Sequence, residues 1–387
     1  MVIIHGAIVW NVWPLIWKGY PDFTILYSAG TLVRRGMGHE LYNEVTQFSV
    51  QQEFAPDVTI RSSALPYNHP PFEAAIFVPL TYLPYPVAFI IWSLANIAML
   101  AAMPFFLRSY LPQFQIYSRA LWILACVAFL PIFLVLLAGQ DSILLLFLYT
   151  LTFICLKKGR DGAAGSWLAL GLFKPHLVLP FGIFLLAQRR VRSLYGFLAV
   201  SVGLLLVSLR IVGFTGLILY PHYVMHLEEI MGRGAIMPSD MPNLRGLFYV
   251  LFCSDSGARL ALWGSFLAML LFTAWQCRET GSTKLFDLQF SLAVVATVLV
   301  SYHGMGYDLS VLMLPILLLT NQLSNGSNSK GWSGAAVLTA VAFLFCSPLE
   351  LILWLRINRM ALTACAILLL FFGIAGQIQL HTQKVRS

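Results

Sequence analysis

The run VAFIIWSLANIAMLAAMPFFL, residues 87–107, carries no charged side chain and is long enough to cross a bilayer core as one helix. Working outward, comparable apolar runs recur at 120–137, 142–156, 194–212, 258–276, 286–302, 309–322, 332–346 and 360–377, each bounded by turn or charged residues. A shorter run, 2–17, is interrupted by His5, Asn11 and Pro14. It lacks the basic start and small-residue cleavage site of a secretory signal peptide. Hydrophobic residues make up 59% of the chain and charged residues 10%, against roughly 25% charged in a soluble domain. A soluble fold of this length has nowhere to put so much apolar surface. The chain therefore reads as an all-α polytopic membrane protein of about ten spanning helices, a single domain over residues 1–387.

The net charge of +8 is modest, and the basic residues gather at the ends of apolar runs, as in Lys157-Lys158-Gly159-Arg160 and Arg189-Arg190-Val191-Arg192. That pattern belongs to membrane orientation and argues against nucleic acid as a partner. The six cysteines (Cys126, Cys155, Cys253, Cys277, Cys346, Cys365) form no C-x-x-C pair. They read as small core hydrophobes. Between the two basic groups lies an apolar stretch, 162–188, broken by Lys174-Pro175-His176. If both groups face the cytoplasm, the stretch must enter and leave on one side. Its arms of about 11–13 residues are too short to cross a core of about 30 Å. A re-entrant hairpin over 162–188 is predicted, with Pro175 breaking the helix at its tip and the tip lining a polar cavity. Both termini then fall in the cytoplasm, and loops 19–84 and 214–257 fall outside. So do Gly139-Gln140-Asp141 and 302–308. Residues 324–330 read as a solvated linker.

The long first loop has structure of its own. From Asp22 to Arg35 the apolar residues Phe23, Leu26, Tyr27, Leu32 and Val33 recur at helical spacing, and 44–54 forms a second amphipathic segment. Both suit the membrane surface. Four polar clusters fall on the predicted outer face. The first is Pro21-Asp22-Phe23 with Gly36, His39-Glu40 and Leu41-Tyr42. The second is Tyr67-Asn68-His69-Pro70-Pro71. The third is Gly139-Gln140-Asp141, with the hairpin tip Lys174-Pro175-His176. The fourth is Tyr302-His303 and Tyr307-Asp308-Leu309, near Ser239, Asn243 and Arg245. Each admits a plainer reading: Asp22 and Asp141 as helix N-caps, His69 as a turn residue, His303 and Asp308 as junction residues. Lys174 is harder to set aside, because a charge inside an apolar stretch costs several kcal/mol without a partner or water.

Acids are almost missing from the middles of the apolar runs, and no paired half-helices repeat along the chain. Both facts argue against a proton-driven secondary transporter. The large asymmetric loop between the first two spans favours an enzyme at the outer membrane surface.

In this order, the clusters resemble glycosyltransferase family 87, membrane proteins of the GT-C fold that use polyprenyl-phosphate sugars. The residues that carry the resemblance are Asp22-Phe23, Gly36 with Leu41-Tyr42, Tyr67 with Pro70-Pro71, Pro79-Leu80, Gly139-Gln140, Lys174-Pro175, and His303 followed by Tyr307-Asp308-Leu309. The resemblance implies a GT-C-like bundle with a catalytic acid in the first outer loop, a position that Asp22 matches. It also implies transfer of a mannosyl or related hexosyl unit from a polyprenyl-phosphate carrier to a hydroxyl acceptor, at the outer face of the plasma (inner) membrane. Chemically, one carboxylate suffices as the base for an inverting displacement, and Asp22 takes that role. The departing phosphate needs fixed positive charge, for which Lys174, His303 and Arg245 are the candidates. Tyr67, His69, Gln140, Asp141, His176, Tyr307 and Asp308 complete the expected substrate-binding set. The scheme requires no cofactor and no metal. Its partners are a lipid-linked sugar donor, a glycan or glycolipid acceptor, and membrane lipids. The alternative is a non-enzymatic lipid-carrier flippase or polysaccharide exporter with a similar vestibule.

Overall fold

The computed structural model describes residues 2–19, 21–55, 64–113, 119–230, 237–252, 256–279, 281–324 and 331–386. Cys253 and all but the first residue of the expected 324–330 linker lie outside these segments. Among the described residues every regular element is a helix. The protein is an all-α, multi-pass membrane protein.

The first helix, α1 (Val2–Trp17), leads into a cap of short helices: α2 (Phe23–Arg34), α3 (Glu44–Phe54) and α4 (Pro71–Phe77). Helices α2 and α3 stand where hydrophobic spacing puts them, and α4 is added to them. Asn43 caps α3, its side chain accepting from the amides of Val45 and Thr46. Pro71 starts α4, where a missing N–H matters least. The cap closes on an aromatic core in which Phe23 packs against Phe77, Tyr85 and Phe89, with ring centroids 6.2, 5.7 and 5.6 Å away.

Then comes α5 (Tyr85–Leu107), the decisive run of the sequence, followed by α6 (Arg119–Ala128) and α7 (Leu130–Ala138). The apolar run 120–137 is thus two helices broken at Phe129. Pro131 has no N–H to give to Val127 and crowds the preceding turn. The carbonyls released there are taken up from outside: His5 Nδ1 lies 3.0 Å from the Val127 oxygen, and Ser347 Oγ donates to Ala128 at 3.3 Å. Re-satisfying freed carbonyls in this way is what makes a broken helix tolerable in lipid.

Helix α8 (Ser142–Lys157) is the ruler of the molecule; its 16 residues rise about 24 Å. The hairpin segment runs alongside as α9 (Asp161–Leu170), α10 (Pro175–Val178) and α11 (Gly182–Ala187). At the far end of α8, Lys157 Nζ donates to Asp287 at 2.6 Å. At that same end Arg190 donates to Asp161 at 2.8 Å, bringing the two basic groups together and closing the segment on itself. The tip, Lys174, meets the opposite end of α8 at Asp141, 2.9 Å away. The segment therefore goes out along α8 and returns.

The return leads into α12 (Val191–Ile230), which lies along α9. A Cβ on Gly165 would collide with the Ser193 carbonyl, and one on Gly196 with the Gly162 carbonyl, so only glycine allows this approach. Gly213, at φ 69° and ψ −179°, bends α12, and the helix continues into the stretch that hydropathy leaves as loop. The chain closes with α13 (Leu244–Phe252), α14 (Ser256–Cys277), α15 (Thr283–Leu299), α16 (Met313–Leu323), α17 (Trp332–Leu344), α18 (Ser347–Leu355) and α19 (Thr363–Arg386).

By length and composition five described helices can cross a membrane, or six if α17 and α18, bent by 63°, are one span. This falls short of about ten because α6–α7 and the hairpin are broken by prolines, while α1, α8 and 175–187 are apolar but short. Burial separates the lipid face from the interior. Only 11% of the apolar window of 191–225 is buried, against 72% for Met360–Gln383.

Candidate active site

The polar end of α8 is built on a turn. Helix α7 ends at Gly139, whose φ of +68° is a left-handed conformation, and Gln140 N–H returns to the Val135 carbonyl at 3.0 Å. Phe23 Cβ and Phe89 Cε2 lie 2.7 and 2.8 Å from where a Gly139 Cβ would stand, and Trp92 Nε1 donates to the Gly139 carbonyl at 3.0 Å. The turn is thereby locked against α2 and α5, and it presents Gln140 and Asp141 in succession.

Gln140 Nε2 donates to Asp22 Oδ2 at 2.9 Å, holding the carboxylate at the start of α2. Asp22 occupies the N-cap position, yet its side chain makes no capping hydrogen bond, and neither does that of Asp141 at the start of α8. The capping explanation for both acids fails on geometry.

Asp141 is fully buried, with Lys174 Nζ at 2.9 Å from Oδ1 and His69 Nδ1 at 3.5 Å from Oδ2. Lys174 also donates to Asp308 Oδ1 at 2.7 Å, so the buried ammonium bridges two carboxylates. Asp308 is fixed by Ser142 Oγ at 2.8 Å and by the Met305 amide at 2.9 Å. The Tyr307 ring lies 4.9 Å from the Lys174 ammonium, in cation–π range. The rings of His176, beyond the tip, and His303 are 6.4 Å apart.

The remaining expected residues serve as walls. Tyr67 is buried; its hydroxyl donates to the Pro70 carbonyl at 2.8 Å, and its ring stacks on His69 at 5.6 Å. Arg245 sits over the Tyr302 ring at 3.9 Å and donates to the Tyr302 carbonyl at 2.9 Å, bracing the residue before His303. Asn243 does the same for the Ser301 carbonyl at 2.9 Å.

The geometry adds a residue that sequence reasoning missed. Glu73, on α4, is 1% exposed, and its Oε2 lies 2.6 Å from His69 Nδ1. Its signal is the spacing His69-x-x-x-Glu73 across the start of a helix, which puts both side chains on one face. Burial holds His69 at about 4, so its imidazole is neutral at physiological pH. Burial, then the charge of Asp141 and a hydrogen bond shared with it, pushes the Glu73 carboxyl well above the usual range. Burial would raise Asp141 too, but the Lys174 ammonium, with Glu73 and His69, holds it below the ordinary value.

All four clusters of the sequence thus converge. Loop one arrives through Asp22, the second cluster through His69, the third through Gln140, Asp141 and Lys174, and the fourth through Asp308. His39 and Glu40 do not join; they face one another at 3.6 Å, with the His39 side chain 70% exposed.

The family model of glycosyltransferase family 87 matches residues 67–301. The chain belongs to glycosyltransferase family 87. Among curated proteins none matches it. As a family 87 protein it is a membrane glycosyltransferase, acting on sugar donor and acceptor substrates. The matched residues hold Tyr67, His69, Glu73, Gln140, Asp141, Lys174, His176 and Arg245. Asp22 precedes them, and His303, Tyr307 and Asp308 follow them; structure alone ties these four residues to the family 87 segment.

Proposed function

We propose that this family 87 enzyme moves a hexosyl unit, mannosyl as the family resemblance implies, from a polyprenyl-phosphate carrier to a hydroxyl acceptor. The reaction inverts the anomeric centre. The acceptor oxygen attacks the anomeric carbon, the bond from that carbon to the phosphate oxygen breaks, and the acceptor proton passes to Asp22. The electron pair of the broken bond leaves on the lipid phosphate. Lys174 and His303, with Arg245 bracing the segment before His303, supply positive charge and donors to that phosphate. The chemistry belongs at the outer face of the plasma membrane, with both termini cytoplasmic.

The observation that carries this reading is the Gln140–Asp22 hydrogen bond of 2.9 Å. It fixes a loop carboxylate beside the buried Asp141–Lys174–Asp308 array, so a base and a charge array share one site. A second feature supports the lipid carrier. An apolar groove of about 590 Å³ runs between α1, α5 and α7, lined by Trp10, Trp13, Phe89, Phe133 and Leu137 among others. Phe89, on its wall, packs on Phe23, the residue after Asp22. A groove of this kind suits a polyprenyl chain, which meets apolar side chains there as it does in the surrounding lipid.

Purified protein supplied with a panel of polyprenyl-phosphate sugars tests the proposal. Transfer that depends on the lipid phosphate and is lost in Asp22→Asn supports it. Full transfer by Asp22→Asn, or use of nucleotide sugars alone, overturns it.

A further inference from the structure

The buried array is short of positive charge. Glu73, Asp141 and Asp308 are 1%, 0% and 2% exposed, and among the described residues Lys174 is the cation ion-paired with Asp141 and Asp308. As carboxylates, these acids carry more negative charge than one ammonium offsets, a costly arrangement away from water. With Glu73 and Asp141 both ionised, neither Glu73 oxygen has a hydrogen-bond donor, and His69 Nδ1, although 2.6 Å from one of them, makes no hydrogen bond of usable geometry. Close contacts between donor atoms without hydrogen bonds are what the ligands of one ion present to each other.

From this geometry we propose a divalent-cation site formed by His69, Glu73 and Asp141. One ligand atom from each lies within 4.8 Å of the others. Two ligands bound at about 2.1 Å and at right angles stand about 3 Å apart, and the contacts here, 2.6 and 3.5 Å, bracket that spacing. One imidazole with two carboxylates selects a first-row ion, Mn²⁺ or Zn²⁺, over Ca²⁺. Asp141 can serve the ion and Lys174 together, since it meets Lys174 through Oδ1 and His69 through Oδ2. The site departs from the metal-free scheme that the sequence suggests. Three protein ligands leave coordination positions open. Taken with the proposed function, on which this clause rests, those positions receive oxygens of the donor phosphate.

The experiment uses the purified full chain in nanodiscs, depleted with chelator and titrated separately with Mn²⁺ and with Zn²⁺. Binding is read by electron paramagnetic resonance for manganese and by elemental analysis for zinc, without any sugar substrate. One equivalent should bind, and Glu73→Gln should weaken it by at least about 100-fold, the upper end of what loss of a mere outer-shell partner costs. Asp22→Asn should bind the ion as the unmodified protein does, which separates this site from the proposed function. If Glu73→Gln fails to fold, the unmodified protein decides alone, by stoichiometric binding with a rise in unfolding temperature on adding ion. No stoichiometric binding of either ion overturns the site, and a proton shared by Glu73 and Asp141 then holds the pair together. Equal binding by a folded Glu73→Gln variant overturns it as well.

Discussion

Gln140 and Asp22, 118 residues apart in sequence, are joined by a 2.9 Å hydrogen bond from the Gln140 amide to the Asp22 carboxylate. The contact converts a loop acid into a positioned one. It leaves Asp22 Oδ1 outside that bond, and it fixes the carboxylate relative to a turn that itself cannot move far.

Two variants separate the base from its holder. Asp22→Asn keeps shape and removes basicity; transfer should fall by about 10² to 10⁴-fold, the range of a general base, with expression and unfolding temperature unchanged. Gln140→Ala keeps the base and loosens it, so kcat should fall less than in Asp22→Asn while donor KM stays near its starting value. Equal losses in the two variants, measured by steady-state transfer, would contradict the division of roles.

Gly139→Ala tests the turn. The substitution forces a side chain into a left-handed backbone conformation, which costs about 1–2 kcal/mol by itself. It also drives a methyl group toward Phe23 Cβ and Phe89 Cε2, 2.7 and 2.8 Å from its position. Thermal unfolding should shift down. Transfer should fall further than stability explains, because Gln140 and Asp141 follow directly.

Much of this arrangement was legible in the sequence, for reasons that differ by residue. Residues 87–107 announce a span because lipid requires a long uncharged helix, and the structure sets Tyr85–Leu107 there. Lys174 stood out because an ammonium in an apolar stretch demands a partner, although which acids would answer it, Asp141 and Asp308, depends on packing between distant helices. Glu73 escaped notice because an acid near a helix start is ordinary in a loop, and only the packing of α4 against α2 and α12 makes it buried. The broken helix at Phe129 was missed because hydropathy is blind to backbone hydrogen bonds. Pro131 was visible, but the partners of the freed carbonyls, His5 and Ser347, come from helices far along the chain.

Lys174→Ala should be among the most damaging single changes in the protein. It leaves Asp141 and Asp308 buried without their shared ammonium, and breaking one side of a buried pair costs about 3–5 kcal/mol. The expected outcome is a low yield of monodisperse protein. Lys174→Ala combined with Asp308→Asn removes one of the stranded charges and should recover part of that yield. A double-mutant cycle by chemical unfolding measures the coupling, and additivity within about 0.5 kcal/mol would mean the two residues do not interact.

The contact between α9 and α12 offers a test of the scaffold that substitutes no residue of the site. Gly165→Ala places a methyl group against the Ser193 carbonyl, and backbone cannot move aside as a flexible side chain would. The hairpin must then separate from α12, and with it the position of Lys174 at the tip shifts. Both stability and transfer should fall. Gly203→Ala on α12 is the matched control: nothing lies within 4 Å of its added methyl group. Replacing a helical glycine there should stabilise the helix, by up to about 1 kcal/mol. If both variants unfold at the same temperature as the unmodified protein, glycine contacts do not set the hairpin, and the placement of Lys174 must come instead from its own ion pairs with Asp141 and Asp308.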